Sequence, residues 1–220
     1  AGHIAGSFLR ATATDGSTEN RGEESTVGNL VADAQLWAAR QTAAFADTQI
    51  SFMNPGGLRT DILYSAANNG LVTLGQAAQM QPFANTLFVM NLTGADIKQV
   101  LNQQVQPDGA SRPYLKLGIS GLTYTYDPDT FAVTDVWLAS GEPIDPAKSY
   151  RIVTNSFLKD GGDNFKAFTN GKNVADTGLV DLDAFMNFMK ANESLGNVLD
   201  PSGSTYAPQR AWAVKDISTT

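Results

Sequence analysis

The spacing of hydrophobic residues changes along this chain, and the change limits the folds that it can adopt. Between residues 27 and 37 apolar side chains recur at helical intervals, and Ser25 or Thr26 can cap that helix. Residues 122–126 instead alternate with period two, which predicts a strand paired with residues 133–138. Similar patterns predict further strands at 50–53, 87–92 and 150–154, and further helices around 97–101 and 182–189.

Helical and strand patterns alternate early in the chain, and strand patterns dominate its middle. This arrangement predicts an α+β (mixed α/β) fold of layered sheets flanked by helices rather than a bundle or a repeat array. The 220 residues suit one domain, and no repeat or linker divides them. We therefore expect a single domain over residues 1–220.

Charge and hydropathy exclude two classes of partner. The net charge is −7, and the 15 Lys and Arg residues form no cluster, so we expect no nucleic-acid partner. An anionic small molecule remains compatible if a few arginines converge. No apolar run reaches the ~18 residues of a membrane span.

The residue types needed for several catalytic mechanisms are missing from this sequence. It contains no cysteine, and its one histidine is His3, two residues after the first residue. A dinuclear metal centre needs several His, Asp and Asn ligands, and a Ser-His-Asp triad needs a well-held histidine. Neither a P-loop nor a dinucleotide-binding fingerprint is present. We therefore predict no catalytic residue, no metal ligand and no cofactor in this chain.

The first candidate binding loop follows the predicted strand 50–53 and reads Asn54-Pro55-Gly56-Gly57-Leu58-Arg59. Adjacent glycines permit a close approach of the backbone to a ligand. The planar guanidinium of Arg59 suits a phosphate or a ribose edge. A tight turn followed by a surface arginine is the alternative interpretation.

The second candidate loop runs from residue 155 to residue 165, after the predicted strand 150–154. Phe157 offers a ring for base stacking, Gly161 and Gly162 form a turn, and Asp163 can accept hydrogen bonds from vicinal hydroxyls. The alternative is a core phenylalanine with an aspartate that stabilises the turn.

A third candidate is Arg21, which precedes the first predicted helix and could meet the same anion as Arg59. The alternative for Arg21 is a solvated loop arginine.

Five segments, in this order, resemble the C-terminal domain of the 5′-nucleotidase / UDP-sugar hydrolase family. The resemblance covers nearly the whole chain, and the order of the segments makes it specific. The matching segments are residues 24–34 (ESTVGNLVADA), 54–59 (NPGGLR), 81–86 (QPFANT), 114–117 (YLKL) and 155–163 (NSFLKDGGD).

The resemblance implies roles for the candidate residues. Phe157 matches one member of an aromatic pair that sandwiches the base, and Tyr114 matches the other. Asp163 matches the carboxylate that binds the ribose hydroxyls, and Asn54 matches a residue near the base edge. Lys116 stands where a neutral polar side chain is usual, which leaves base preference open.

The two arginines complete the implied site. Arg21 and Arg59 match residues that face the phosphate or the ribose. The resemblance therefore predicts a cleft between the rings of Tyr114 and Phe157, with Asp163 on its floor and both arginines at its edge.

The resemblance also implies a parent protein larger than this chain. An N-terminal metallophosphoesterase domain, absent here, would carry two divalent metal ions, and this domain would hold a nucleoside or nucleotide substrate. The implied location is secreted, periplasmic or cell-wall associated, and the isolated chain is expected to be inactive. The alternative is a non-catalytic ligand-binding or adhesion module that kept the fold.

Overall fold

The computed structural model describes residues 1–215, and residues 216–220 of the predicted domain lie outside the described part. The described chain forms mixed sheets flanked by helices. The helices are α1 (Thr26–Arg40), α2 (Leu74–Met80), α3 (Gly94–Asn102), α4 (Ser156–Lys159) and α5 (Asp181–Ser194). The strands are β1 (Ile50–Met53), β2 (Thr86–Thr93), β3 (Gly118–Ser120), β4 (Leu122–Tyr126), β5 (Val133–Leu138), β6 (Ser149–Asn155), β7 (Lys172–Val180) and β8 (Ala211–Ala213).

The strands form a central five-stranded sheet in the order β3-β1-β6-β2-β7 and a smaller sheet in the order β5-β4-β8. In the central sheet β1 and β6 are parallel, so both strands end at the same edge. Strand β2 is antiparallel to β6, with Leu87 opposite Asn155, and therefore begins at that edge. Three chain segments thus enter or leave the sheet side by side.

Side chains alternate between the two faces of the central sheet. Phe52 and Ile152 face a core that includes residues of α3 and of the smaller sheet. Val89 and Val153 face the opposite way and pack with Leu36 of α1. The central sheet therefore lies between a helical layer and a layer of α3 with the smaller sheet, which confirms the predicted fold class.

The helix after residue 25 begins as the sequence predicts. The Ser25 hydroxyl accepts a hydrogen bond from the backbone N–H of Gly28 at 3.0 Å and caps α1. Gly118 of β3 allows close packing against this helix start, because a Cβ atom at Gly118 would lie 2.6 Å from the Gly28 carbonyl oxygen. This contact holds the start of α1 against β3.

Helix α2 and strand β7 have no counterpart among the predicted elements. Helix α2 has seven residues, too few for a clear helical period. Strand β7 is one of the two edge strands of the central sheet, and its exposed polar residues hide the alternation that marks a strand. Across residues 1–215, no helix combines the length and apolar character that crossing a membrane requires.

Candidate functional site

An open cleft of about 500 Å³ lies at the sheet edge where β1 and β6 end and β2 begins. Residues from four separate segments line it. They are Arg21, Asn54, Gly56, Gly57, Phe83, Asn85, Phe157 and Asp163. Four of the six predicted binding residues therefore meet in one cleft, together with both glycines of the first candidate loop.

The sheet topology explains this convergence. Asn54 follows β1, Phe157 lies two residues after β6, and Asn85 immediately precedes β2. Since parallel β1 and β6 end together and antiparallel β2 starts beside them, the three loops share one edge. Arg21 joins them from the loop before α1 because its carbonyl oxygen accepts a hydrogen bond from the Lys116 N–H at 2.7 Å.

Gly56 lies where three polar side chains approach one another. A Cβ atom at this position would lie 3.1 Å from Nη1 of Arg21, 3.5 Å from Oδ2 of Asp163 and 3.7 Å from Nδ2 of Asn54. The absence of a side chain at Gly56 therefore lets a guanidinium, a carboxylate and an amide come close to the backbone. A ligand with both donor and acceptor groups fits this surface.

A chain of hydrogen bonds links β6 to the carboxylate of Asp163. Asn155 caps α4 by accepting from the Leu158 N–H at 2.9 Å, and its Nδ2 donates to Oδ1 of Asn54 at 2.9 Å. Nδ2 of Asn54 then points toward Oδ2 of Asp163 at 3.5 Å. Asn155 therefore orients the Asn54 amide.

Phe157 presents one face of its ring to the cleft. The side chain is 43% exposed, which is unusual for phenylalanine. Gly162 lies against the other face, since a Cβ atom there would be 2.6 Å from Cε1 and Cζ of the ring. The Gly161–Gly162 turn thus supports the ring rather than lining the cleft.

Phe83 is the second aromatic residue of the cleft, and sequence reasoning assigned it no role. Its side chain is 57% exposed. Within the described residues neither Phe83 nor Phe157 packs against another aromatic ring. The signal available in the sequence was the segment 81–86, which resembles the family and places Phe83 after a proline and two positions before Asn85.

Asn85 lines the cleft and also holds in place the loop that carries Phe83, just before β2. Its backbone N–H donates to Oδ2 of Asp181 at 3.2 Å, and its Oδ1 accepts from the Ser156 hydroxyl at 3.3 Å. Burial raises the pKa of Asp181 above its usual value. Between Phe83 and Asn85, Ala84 adopts the left-handed conformation with φ of 52°.

Arg21 is held through its Nε atom, and among the described residues its terminal nitrogen atoms donate no hydrogen bond. Its Nε donates to Glu19 at 3.2 Å, and its side chain is largely buried. Arg112 approaches the other oxygen of Glu19 at 3.8 Å. Nη1 of Arg21 lies on the cleft side, next to Gly56.

Arg59 lies at the rim of the cleft rather than in its lining. Its Nη1 donates to the Gly56 carbonyl oxygen at 3.4 Å, and its guanidinium carbon lies 6.0 Å from the centre of the Phe83 ring. The residue is exposed, and its backbone N–H donates to the Met80 carbonyl oxygen. Arg59 therefore lies beside Phe83, which does line the cleft.

Tyr114 is not among the residues that line the cleft, so the predicted pair of Tyr114 with Phe157 needs correction. Its ring packs on Phe131 with centres 4.8 Å apart, and its hydroxyl accepts from Gln104 at 3.4 Å. Burial, followed by the neighbouring Tyr126, raises the pKa of Tyr114. The ring that shares the cleft with Phe157 is that of Phe83.

Lys116, the other residue tied to base preference, is also buried away from the cleft. Its Nζ donates to the Tyr126 hydroxyl at 3.2 Å and lies 4.6 Å from the centre of that ring. Its contacts with tyrosine rings are those of a cation packed on aromatic faces.

The next feature is whether side chains are grouped so that they could hold a metal ion. Within residues 1–215 no three or more His, Cys, Asp or Glu side chains are placed to hold a metal ion. His3 pairs with Glu193, with 2.8 Å between Nδ1 and Oε2, outside the cleft lining. The chemistry of the cleft therefore rests on aromatic faces, amides, one carboxylate and a guanidinium.

Comparison with known proteins agrees with this architecture. A family model described as "5′-nucleotidase, C-terminal domain" matches residues 2–170. Cell wall protein Lmo0130 of Listeria monocytogenes is 37% identical over 80% of this chain and 22% of its own length. The trifunctional nucleotide phosphoesterase protein YfkN of Bacillus subtilis is 33% identical over 86% of this chain and 13% of its own length.

Among solved structures, a 5′-nucleotidase precursor from Thermus thermophilus matches with a TM-score of 0.76 at 29% identity. The match covers 98% of this chain and 39% of that protein. The chain therefore spans well under half the length of these relatives. Because the family model matches more than half of the residues, the chain belongs to the 5′-nucleotidase C-terminal domain family.

Proposed function

We propose that residues 1–220 form one substrate-binding domain of a 5′-nucleotidase-type phosphohydrolase, and that the cleft holds the nucleoside part of a nucleotide. The observation that carries the proposal is the pair of exposed rings, Phe83 and Phe157, in one cleft with Asp163 and Arg21. Each of these groups suits a different part of a nucleotide.

The base is proposed to insert between Phe83 and Phe157. Stacking on an aromatic side chain contributes roughly 1–3 kcal/mol per base and tolerates different bases. The amides of Asn54 and Asn85 lie beside the rings and can pair with the edge of the base. This arrangement supports broad base tolerance, with the amides providing selectivity.

The ribose is proposed to bind Asp163. An ionised carboxylate accepts two hydrogen bonds, and vicinal hydroxyls supply two donors. The position of Asp163 near Arg21 and Asn54, around Gly56, supports this assignment.

The phosphate is proposed to lie toward Arg21 and Arg59. Charge-assisted hydrogen bonds from guanidinium to phosphate are about twice as strong as neutral ones. Arg21 is held by Glu19 on one side, which presents its Nη1 to the cleft. Arg59 at the rim is placed for the part of the ligand that extends out of the cleft.

Hydrolysis is proposed to depend on a second, metallophosphoesterase domain with two divalent metal ions. The described residues of this chain do not provide a set of ligands fit for such ions. The long unmatched portions of the relatives leave room for further domains. A secreted or cell-envelope location is proposed from the relative named as a cell wall protein.

A calorimetric titration with adenosine, AMP, UMP and a UDP-sugar tests the proposal. We expect weak binding of all of them, with nucleotides tighter than adenosine. A phosphatase assay with and without Mg²⁺ or Mn²⁺ should show no turnover. Absence of binding for every ligand, or robust turnover by this chain alone, would contradict the proposal.

A second candidate function is a non-catalytic ligand-binding or adhesion module, which the relative named as a cell wall protein favours. Glycan-array or cell-wall binding by the chain, together with no nucleoside binding, would support the second function over the first.

A further inference from the structure

Gln106 contacts the backbone of Asp163 from behind the cleft. Its Nε2 donates to the Asp163 carbonyl oxygen at 3.0 Å, and its Oε1 accepts from Nδ2 of Asn164 at 2.9 Å. The residue is only 8% exposed and is not part of the cleft lining. Its own position is set by a backbone hydrogen bond to the Pro113 carbonyl oxygen at 2.9 Å.

The segment that Gln106 contacts has an uncommon backbone conformation. Asp163 and Asn164 are consecutive non-glycine residues with φ of 52° and 65°. Left-handed geometry is uncommon for residues with a Cβ atom, although Asp and Asn adopt it more readily than most, and it persists where surrounding contacts hold it. The Gln106 amide supplies contacts to both residues.

The carboxylate of Asp163 has little direct support of its own. Among the described residues its hydrogen-bond partner is Nδ2 of Asn54, at the long distance of 3.5 Å. The direction of the carboxylate is therefore set mainly by its backbone. A group that holds that backbone controls where the two acceptor oxygens point.

We propose that Gln106 is a positioning residue that makes the site selective for ribose over sugars lacking vicinal hydroxyls. The proposal rests on the proposed nucleoside-binding function. Gln106 does not touch the ligand. It keeps Asp163 and Asn164 in the left-handed conformation, from which the Asp163 carboxylate faces the hydroxyls.

The test compares adenosine with 2′,3′-dideoxyadenosine in wild type, Gln106→Met and the control Gln99→Met. Met keeps the length of the side chain and removes both hydrogen bonds, and Gln99 is an exposed residue of α3. We expect wild type and the control to prefer adenosine by roughly tenfold, a difference of about 1.4 kcal/mol. Gln106→Met should bring the ratio close to one, with little change for the dideoxy ligand.

Equal losses for both ligands, or an unchanged ratio, would overturn the proposal. A wild-type protein that binds neither ligand would count against the proposed function instead. If Gln106→Met fails to fold, Gln106→Glu replaces it, because Glu keeps the acceptor for Asn164 and loses the donor to Asp163.

A measurement without ligand separates the positioning role from nucleoside binding. Backbone ¹⁵N relaxation should show lower order parameters at Asp163 and Asn164 in the Gln106 variant and unchanged values in Gln99→Met. Unchanged order parameters at both residues would overturn the positioning role whatever the ligand result.

Discussion

Gly162 lies directly against the ring of Phe157, and a Cβ atom there would be 2.6 Å from two ring carbons. The residue does not have positive φ, so alanine is disfavoured by space and not by backbone conformation. This contact makes the turn after β6 a support for the ring that faces the cleft.

Gly162→Ala is therefore expected to displace the Phe157 ring and weaken nucleoside binding about tenfold, within the range of one lost stacking contact. Stability should fall by about 1–3 kcal/mol, as for other overpacked sites. Calorimetry and urea unfolding measure the two effects. Gly75→Ala is the matched control, because a Cβ atom at Gly75 would lie 3.8 Å from its nearest neighbouring atom. If Gly162→Ala binds adenosine as tightly as wild type, the contact between Gly162 and Phe157 does not support binding.

The aromatic residues should separate into binding and structural groups. Phe83→Ala and Phe157→Ala each remove an exposed ring, so each should weaken adenosine binding by roughly 1–3 kcal/mol. Unfolding free energy should change by less than about 1 kcal/mol.

Tyr114→Ala is the counterpart in this comparison. It removes a ring packed on Phe131, so it should cost about 2 kcal/mol of stability while binding by the folded protein changes little. Loss of adenosine affinity in Tyr114→Ala alone, with Phe83→Ala unaffected, would restore Tyr114 as the partner of Phe157.

Arg21 is expected to recognise phosphate rather than the nucleoside. Arg21→Gln should weaken AMP binding by about tenfold or more, since hydrogen bonds to charged groups contribute ~1.5–3 kcal/mol, and should leave adenosine nearly unchanged. Arg112→Gln is the control, because Arg112 also approaches Glu19 but lies outside the cleft lining. Equal loss for AMP and adenosine would place the phosphate elsewhere.

Arg59 lies at the rim of the cleft, and Arg59→Gln is expected to weaken AMP binding more than adenosine binding, as in Arg21→Gln. Its guanidinium also lies over Phe83, so a smaller additional loss for adenosine is expected. Raising the salt concentration should reduce the AMP advantage in wild type more than in either arginine variant.

Ala84 offers a test of strain in the loop between Phe83 and Asn85. Alanine with φ of 52° is in the left-handed region that glycine adopts without penalty. Ala84→Gly should therefore raise stability by about 1 kcal/mol and Tm by roughly 2–4 °C. A thermal melt that shows destabilisation would mean that the higher entropy of unfolded glycine outweighs the strain.

Much of the fold follows from local patterns in the sequence. The first helix with its Ser25 cap, the hairpin of β4 and β5, and the buried strands β1 and β6 all have clear periods or turn residues. Strand β7 could not be predicted in this way, because an exposed edge strand lacks the apolar alternation that identifies a strand.

The candidate site likewise has one part that the sequence predicts and one part that it does not. The loops at 54–59 and 155–163 carry their glycines, aromatic ring and charges close together in the sequence, so they can be chosen as candidate binding loops without coordinates. Which ring shares the cleft with Phe157 was decided by tertiary structure. Antiparallel pairing of β2 with β6 brings Phe83 to that edge, while contact with Phe131 holds Tyr114 elsewhere.

By itself, the sequence determined the class of fold, two glycine-containing loops and the shortage of metal-binding and nucleophilic residue types. Tertiary structure decided that Arg21, Phe83 and Asp163 share one cleft and that Gln106 stands behind it. The physical reason is that periodicity and turn chemistry act over a few residues. The cleft depends on strand order and on contacts such as the one between Gln106 and Asp163, 57 positions apart in the chain.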